Sequence, residues 1–157
     1  MNQFIKSTTI HATAERVFDL LADPDHFNKV NPDLVITATA QSALGGYDMD
    51  WEVRFGGMTL TGESKVVKFE RPRELVIDTR GGVPSRWEWA LQPNGDGVHL
   101  CLTLDYTVPK ALAFMGKLLE KQNEKSVEMQ IANLKRIAEE VEPRRHELHE
   151  EKTRSTS

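Results

Sequence analysis

The chain has 157 residues, 39% of them hydrophobic and 28% charged, with a formal net charge of −4 and a pI near 5.7. That length suits one domain, large enough to bury about 70% of the surface its unfolded chain exposes, and the composition is that of a soluble globular protein. The acidic balance leaves no basic field for nucleic acid. No apolar run approaches the roughly 20 residues of a membrane helix, and the opening Met1-Asn2-Gln3-Phe4-Ile5-Lys6 holds no apolar leader stretch. Cys101 is the one cysteine, so an internal disulfide is excluded and the cytoplasm is the expected compartment.

In chain order, the β-branched stretch Phe4 to His11 predicts a strand. Thr13 can cap a helix with Glu15 in its first turn and Val17, Phe18, Leu20 and Leu21 on its apolar face. Asp23-Pro24 interrupts that helix, and Pro24 starts a second short one through Phe27 and Val30. Leu34 to Ser42 predicts the next strand. After Gly45-Gly46, residues 47–55 alternate strictly. Tyr47, Met49, Trp51, Val53 and Phe55 face one way, and Asp48, Asp50, Glu52 and Arg54 the other. A two-residue hairpin at Gly56-Gly57 pairs Phe55 with Met58, Val53 with Leu60, Trp51 with Gly62 and Met49 with Ser64, leaving room beside the Trp51 indole. Strands follow at Glu74 to Thr79, Ser85 to Gln92 and Val98 to Val108, with turns at Gly81-Gly82 and residues 94–97. The parity of Leu75 and Ile77 against Trp87 requires a bulge or a longer turn between their strands. Pro109 opens a final helix to about Glu142, where Pro143 stops it. Its stripe Leu112, Gly116, Leu119, Asn123, Val127, Ile131, Leu134, Ala138, Val141 has helical spacing. A charged, disordered tail is expected over 143–157, which leaves one domain over 1–142.

Strands grouped together, with helices at either end, predict an α+β fold with an antiparallel sheet. The segment Ile10-His11-Ala12-Thr13-Ala14-Glu15-Arg16-Val17-Phe18-Asp19-Leu20-Leu21-Ala22-Asp23-Pro24 resembles the opening of the SRPBCC superfamily, which includes START domains, Bet v 1-like proteins and polyketide cyclases/dehydratases. Glu70-Arg71-Pro72-Arg73-Glu74-Leu75 and the run from Trp89-Ala90-Leu91-Gln92-Pro93 to Gly95-Asp96-Gly97-Val98 resemble two later landmarks, and the likeness spans roughly residues 3 to 142. It implies a helix-grip fold: a curved antiparallel sheet wrapped around a long C-terminal helix, two short helices after the first strand, and an apolar cavity between sheet and helix.

On that fold, Tyr47, Met49, Trp51, Val53, Met58, Leu60, Trp87, Trp89, Leu100 and Leu102 face the concave side. Any one of them can be plain core. As a set, three tryptophans and two methionines suit a cavity for a lipophilic ligand. Leu119 continues the lining on the helix. Asn123 interrupts the apolar stripe with Ser126 and Gln130 nearby. Either the stripe bends and these side chains reach solvent, or Asn123 orients a ligand carbonyl or hydroxyl, helped by Ser64, Tyr47 or Tyr106. Phe114, Met115 and Leu118 form a pocket mouth, a homodimer contact or ordinary packing. Asp50 and Glu63 pair on the outer face, Asp48 meets Lys65 across the strands, and Arg54, Arg86, His99 and Cys101 point outward. His146 and His149 have the spacing of a metal pair but lie in the expected tail.

These residues favour binding or transport of a hydrophobic small molecule such as a lipid, quinone or polyketide-like compound, with no cofactor and no metal. The alternative implied by the resemblance is a cyclase/dehydratase. It requires an acid in the cavity, for which Lys68 and Tyr106 are the candidates, Lys68 standing nearest to the arginine that such cyclases use.

Overall fold

A computed structural model of the chain describes residues 2–55 and 57–155, in full except for the side chains of Phe55 and 141–155. β1 (Asn2–Ile10) leads into α1 (Ala14–Ala22) and α2 (Pro24–Val30), and six strands follow: β2 (Val35–Gln41), β3 (Tyr47–Phe55), β4 (Met58–Glu70), β5 (Glu74–Arg80), β6 (Ser85–Asn94) and β7 (Gly97–Tyr106). A 3-10 turn over Lys110–Met115 precedes the long helix α3 (Gly116–Ser155). The helix does not stop at Pro143 as expected but continues to Ser155; the side chains of the expected tail, the His146/His149 pair among them, fall outside the residues described in full.

The local signals act where the sequence places them. Thr13 Oγ1 accepts from the Arg16 N–H at 3.2 Å and caps α1. Asp23 Oδ1 accepts from the Asp25 N–H at 3.0 Å and caps α2, with Pro24 in its first turn. The final helix starts later than expected. Its first six residues after Pro109 wind as the tighter 3-10 form, and no side chain caps them.

All seven strands form one open, curved antiparallel sheet in the order β1-β7-β6-β5-β4-β3-β2. The β3–β4 register is the expected one: Phe55 opposite Met58, Val53 opposite Leu60, Trp51 opposite Gly62, Met49 opposite Ser64. A Cβ on Gly62 would stand 2.6 Å from Trp51 Cζ2, so the indole fills the room glycine leaves. Between β5 and β6 the longer turn is realised, since Thr79 pairs with Ser85 and Ile77 with Trp87 without a shift.

The bulges lie elsewhere, at Ile36/Ala38 in β2 and Val66/Lys68 in β4. The second has a consequence. Strict alternation from Met58 would carry Lys68 to the concave face. The extra residue, Val67, reverses the parity, so Phe69 turns inward opposite Leu75 and Lys68 turns outward.

The concave face is covered in two parts. Around β1, β7 and the adjoining half of β6, Ile10, Val98, Leu100, Leu102 and Leu104 pack with Val17 and Phe18 of α1 and with Val127, Ile131, Leu134 and Ala138 of α3 in one continuous core. Lys135 Nζ donates to the Thr9 carbonyl at 2.7 Å and Asn133 Nδ2 to the Val30 carbonyl at 3.0 Å, fixing this half of the helix across the sheet and α2.

Candidate ligand-binding cavity

Toward β3, β4 and β5 the same helix stands off the sheet, and a cavity of about 530 Å³ opens between them. That lies within the roughly 300–1,000 Å³ of ligand pockets. The sheet supplies Met49, Trp51, Val53, Leu60, Ser64, Ile77, Trp87 and Trp89. Leu119, Gln122, Asn123, Ser126 and Gln130 come from α3. Phe27, Leu34 and Val35 close one side, Val83 another.

All three tryptophans of the chain border this space. The Trp51 indole N–H donates to Ser64 Oγ at 2.8 Å and that of Trp87 to Ser85 Oγ at 3.0 Å. Both polar edges are therefore partnered within the sheet, and the wall is free to present carbon. Across from it, Gln130 Nε2 donates to Ser126 Oγ at 3.0 Å, while Gln130 Oε1 is buried without a partner. The Asn123 amide stands near the phenol of Tyr106. Burial pushes that phenol above its ordinary pKa, and the neighbouring amide offsets part of the rise. The titratable lining residues, Asp33, Glu52 and Arg54, are all exposed and stand at the rim.

Of the residues expected at the site, Met49, Trp51, Val53, Leu60, Ser64, Trp87, Trp89, Leu119 and Asn123 line the cavity together. Others stand apart from it. Leu100 and Leu102 are fully buried in the solid core, because β7 runs beneath α1 and the packed half of α3. Tyr47 starts β3 and borders a far smaller recess of about 20 Å³ beside Leu21 and Pro24. Met58, at the hairpin, is 38% exposed and lies outside the lining. Met115 belongs to the 3-10 turn, outside the lining, and its neighbours Phe114 and Leu118 are 82% and 51% exposed.

Neither expected acid lies in the lining. Lys68 is on the convex face, 2.8 Å from Glu74, and that carboxylate raises its pKa. Tyr106 is buried in the packed core, near Asn123. On the outer face Asp50 does oppose Glu63. Asp48 instead accepts from the Val66 N–H at 2.9 Å, just beyond the last β3–β4 pair. Arg86 is outward and bonded to Asp78, His99 is exposed, and Cys101 is half-buried.

Sequence reasoning placed Gln130 and Ser126 near Asn123 but did not assign them to the site. The signal was present, since 123, 126 and 130 follow one helix face. Ile77, Thr79 and Val83 were missed because their facing depended on an unknown turn length. Among the described residues no group of three or more His, Cys, Asp and Glu could hold a metal, and no helix is long and apolar enough to cross a membrane.

A curved sheet gripping a helix over a largely apolar chamber defines a START/Bet v 1-like protein. The family model described as polyketide cyclase / dehydrase and lipid transport matches residues 1–139, and the chain belongs to that family. Solved structures share the fold. A START superfamily protein from Mycobacterium smegmatis superposes with a TM-score of 0.72 at 18% identity, covering 88% of this chain and 98% of that one. The di-domain ARO/CYC StfQ from the steffimycin biosynthetic pathway gives 0.71 at 15% identity, over 88% of this chain and 50% of its own. A protein from Thermus thermophilus gives 0.69 at 20% identity, over 86% of this chain and 95% of that one. No curated protein matches the sequence.

Proposed function

We propose that the protein binds or carries one lipophilic small molecule, a lipid, quinone or polyketide-like compound, in the chamber between α3 and strands β3 to β6. The observation that carries this reading is a cavity of about 530 Å³ walled by tryptophan and aliphatic side chains in a chain whose other core is solidly packed. Apolar burial supplies the attraction, about 25 cal/mol per Å² before ordering costs are subtracted. Native mass spectrometry after mild purification is expected to show a 1:1 adduct of lipophilic mass. Trp51→Arg puts a charge into the apolar wall. It should abolish uptake of N-phenyl-1-naphthylamine while the circular dichroism of the sheet persists; unchanged uptake would remove the cavity from the account.

A second reading, cyclase or dehydratase chemistry on a polyketide-like chain, has support in the family description and in StfQ. It needs a proton donor at the ligand. With Lys68 on the outer face, Tyr106 is left as the candidate, acting beside Asn123. Turnover of a polyketide-like substrate that survives Tyr106→Phe unchanged would eliminate it.

A further inference from the structure

The two walls of the cavity differ in how their polar atoms are partnered. On the sheet, the indole N–H groups of Trp51 and Trp87 are both taken up by serine hydroxyls. On the helix, Gln130 uses Nε2 to reach Ser126 and leaves Oε1 with nothing. Gln130 borders the cavity and is 1% exposed, and as the side chain stands its carbonyl is closed off both from bulk water and from the cavity, so the amide must turn to meet a ligand. A buried acceptor in that state is costly, and such groups in folded proteins are rare enough to require a cause. Asn123, two turns earlier on the same face, is only half-buried, so water in the cavity can serve its amide. Among the described residues of this lining, the buried acceptor without a partner is Gln130 Oε1.

We infer that Gln130 is the polar anchor of the cavity, accepting a hydrogen bond from a hydroxyl or amide N–H carried by an uncharged, flat, otherwise apolar ligand. The inference rests on the cavity being a lipophile site and adds the chemistry the lipophile must carry. A flat shape suits a wall whose aromatic members are Trp51, Trp87 and Trp89. Neutrality follows from the rim position of Asp33, Glu52 and Arg54, because an ionised group held inside would have no counter-charge. The terminal torsion of glutamine is broad, so the amide can turn toward a donor without disturbing the helix.

The test compares three probes of one shape: 1-hydroxypyrene, which donates; 1-methoxypyrene, which keeps the oxygen but cannot donate; and pyrene. Near neutral pH the wild-type protein should bind 1-hydroxypyrene at least about tenfold more tightly than either of the others, a difference of about 1.4 kcal/mol. In Gln130→Leu that preference should collapse to near unity, with pyrene held as tightly as before or better. The melting temperature of the empty variant should hold or rise, since an unpaired buried amide has gone. Equal wild-type affinities for the three probes, the pattern expected of a carbonyl permanently hydrated by a trapped water, overturn the anchor and leave the lipophile cavity standing. A donor preference that persists in Gln130→Leu overturns the assignment to this residue. If none of the three binds, the cavity reading fails and the anchor with it.

Discussion

The two halves of the concave face meet the same helix with opposite outcomes. Under β1 and β7 the helix presents Val127, Ile131, Leu134 and Ala138, aliphatic and buried, and the sheet answers with Leu100, Leu102 and Leu104 in close packing. Under β3, β4 and β5 it presents Leu119, Asn123, Ser126 and Gln130, and the space beyond them stays open. The contrast separates two roles of one scaffold. The packed half supplies the stability, and the backbone tethers from Lys135 and Asn133 hold the helix there. The hollow half can then do without the dense contacts that folding otherwise requires.

The sharpest way to break that division is to delete equal side chains on each side of it. Leu134→Ala removes a fully buried side chain from the packed half and is expected to cost about 2–5 kcal/mol in denaturant unfolding. Leu60→Ala removes one that is half-buried and already borders empty space, with an expected cost below about 1 kcal/mol. Equal losses would mean that the two halves are not energetically distinct.

Gly62→Ala comes next in size and joins the sheet to the cavity. The new methyl would meet the Trp51 indole and the Arg80 carbonyl, so one of them must move. An expected loss of about 1–3 kcal/mol should come with altered tryptophan emission and weaker probe uptake. Stability lost with emission unchanged would show that backbone, not the indole, absorbed the clash.

The smallest effect concerns the seam. Tyr106 belongs to the packed core yet stands near Asn123 at the cavity edge. Its phenol titrates above the ordinary 10.0 because it is buried, so the folded protein holds that proton more tightly than the unfolded chain. The corresponding stability is complete below about pH 10 and is lost as pH rises through the raised value. Tyr106→Phe should flatten the alkaline part of the stability curve by less than about 1 kcal/mol, measured as melting temperature across that range. An unchanged alkaline decline would place Tyr106 in contact with solvent.

The same contrast marks what the sequence could reveal. Period-two alternation and the glycine pair made the β3–β4 register legible down to the seat of Trp51 beside Gly62, because both signals act over a few residues. The helical stripe identified the face of α3, but spacing alone does not say whether a face meets side chains or empty space. Leu100 and Leu102 share their inward facing with Trp51, and only the order of strands decides which of these residues are core and which are wall. Lys68 shows a second limit. One unpaired residue at Val67 reversed its side of the sheet, and no local pattern in Glu63 to Glu70 announces the bulge.

The most direct test of the hollow half uses the tryptophans themselves. All three border the cavity, so emission from the whole protein reports on that space. Titration with N-phenyl-1-naphthylamine should quench it saturably, with energy transfer to the probe and a stoichiometry of one. Emission that stays constant while the probe is added to excess would show that nothing enters between α3 and the sheet.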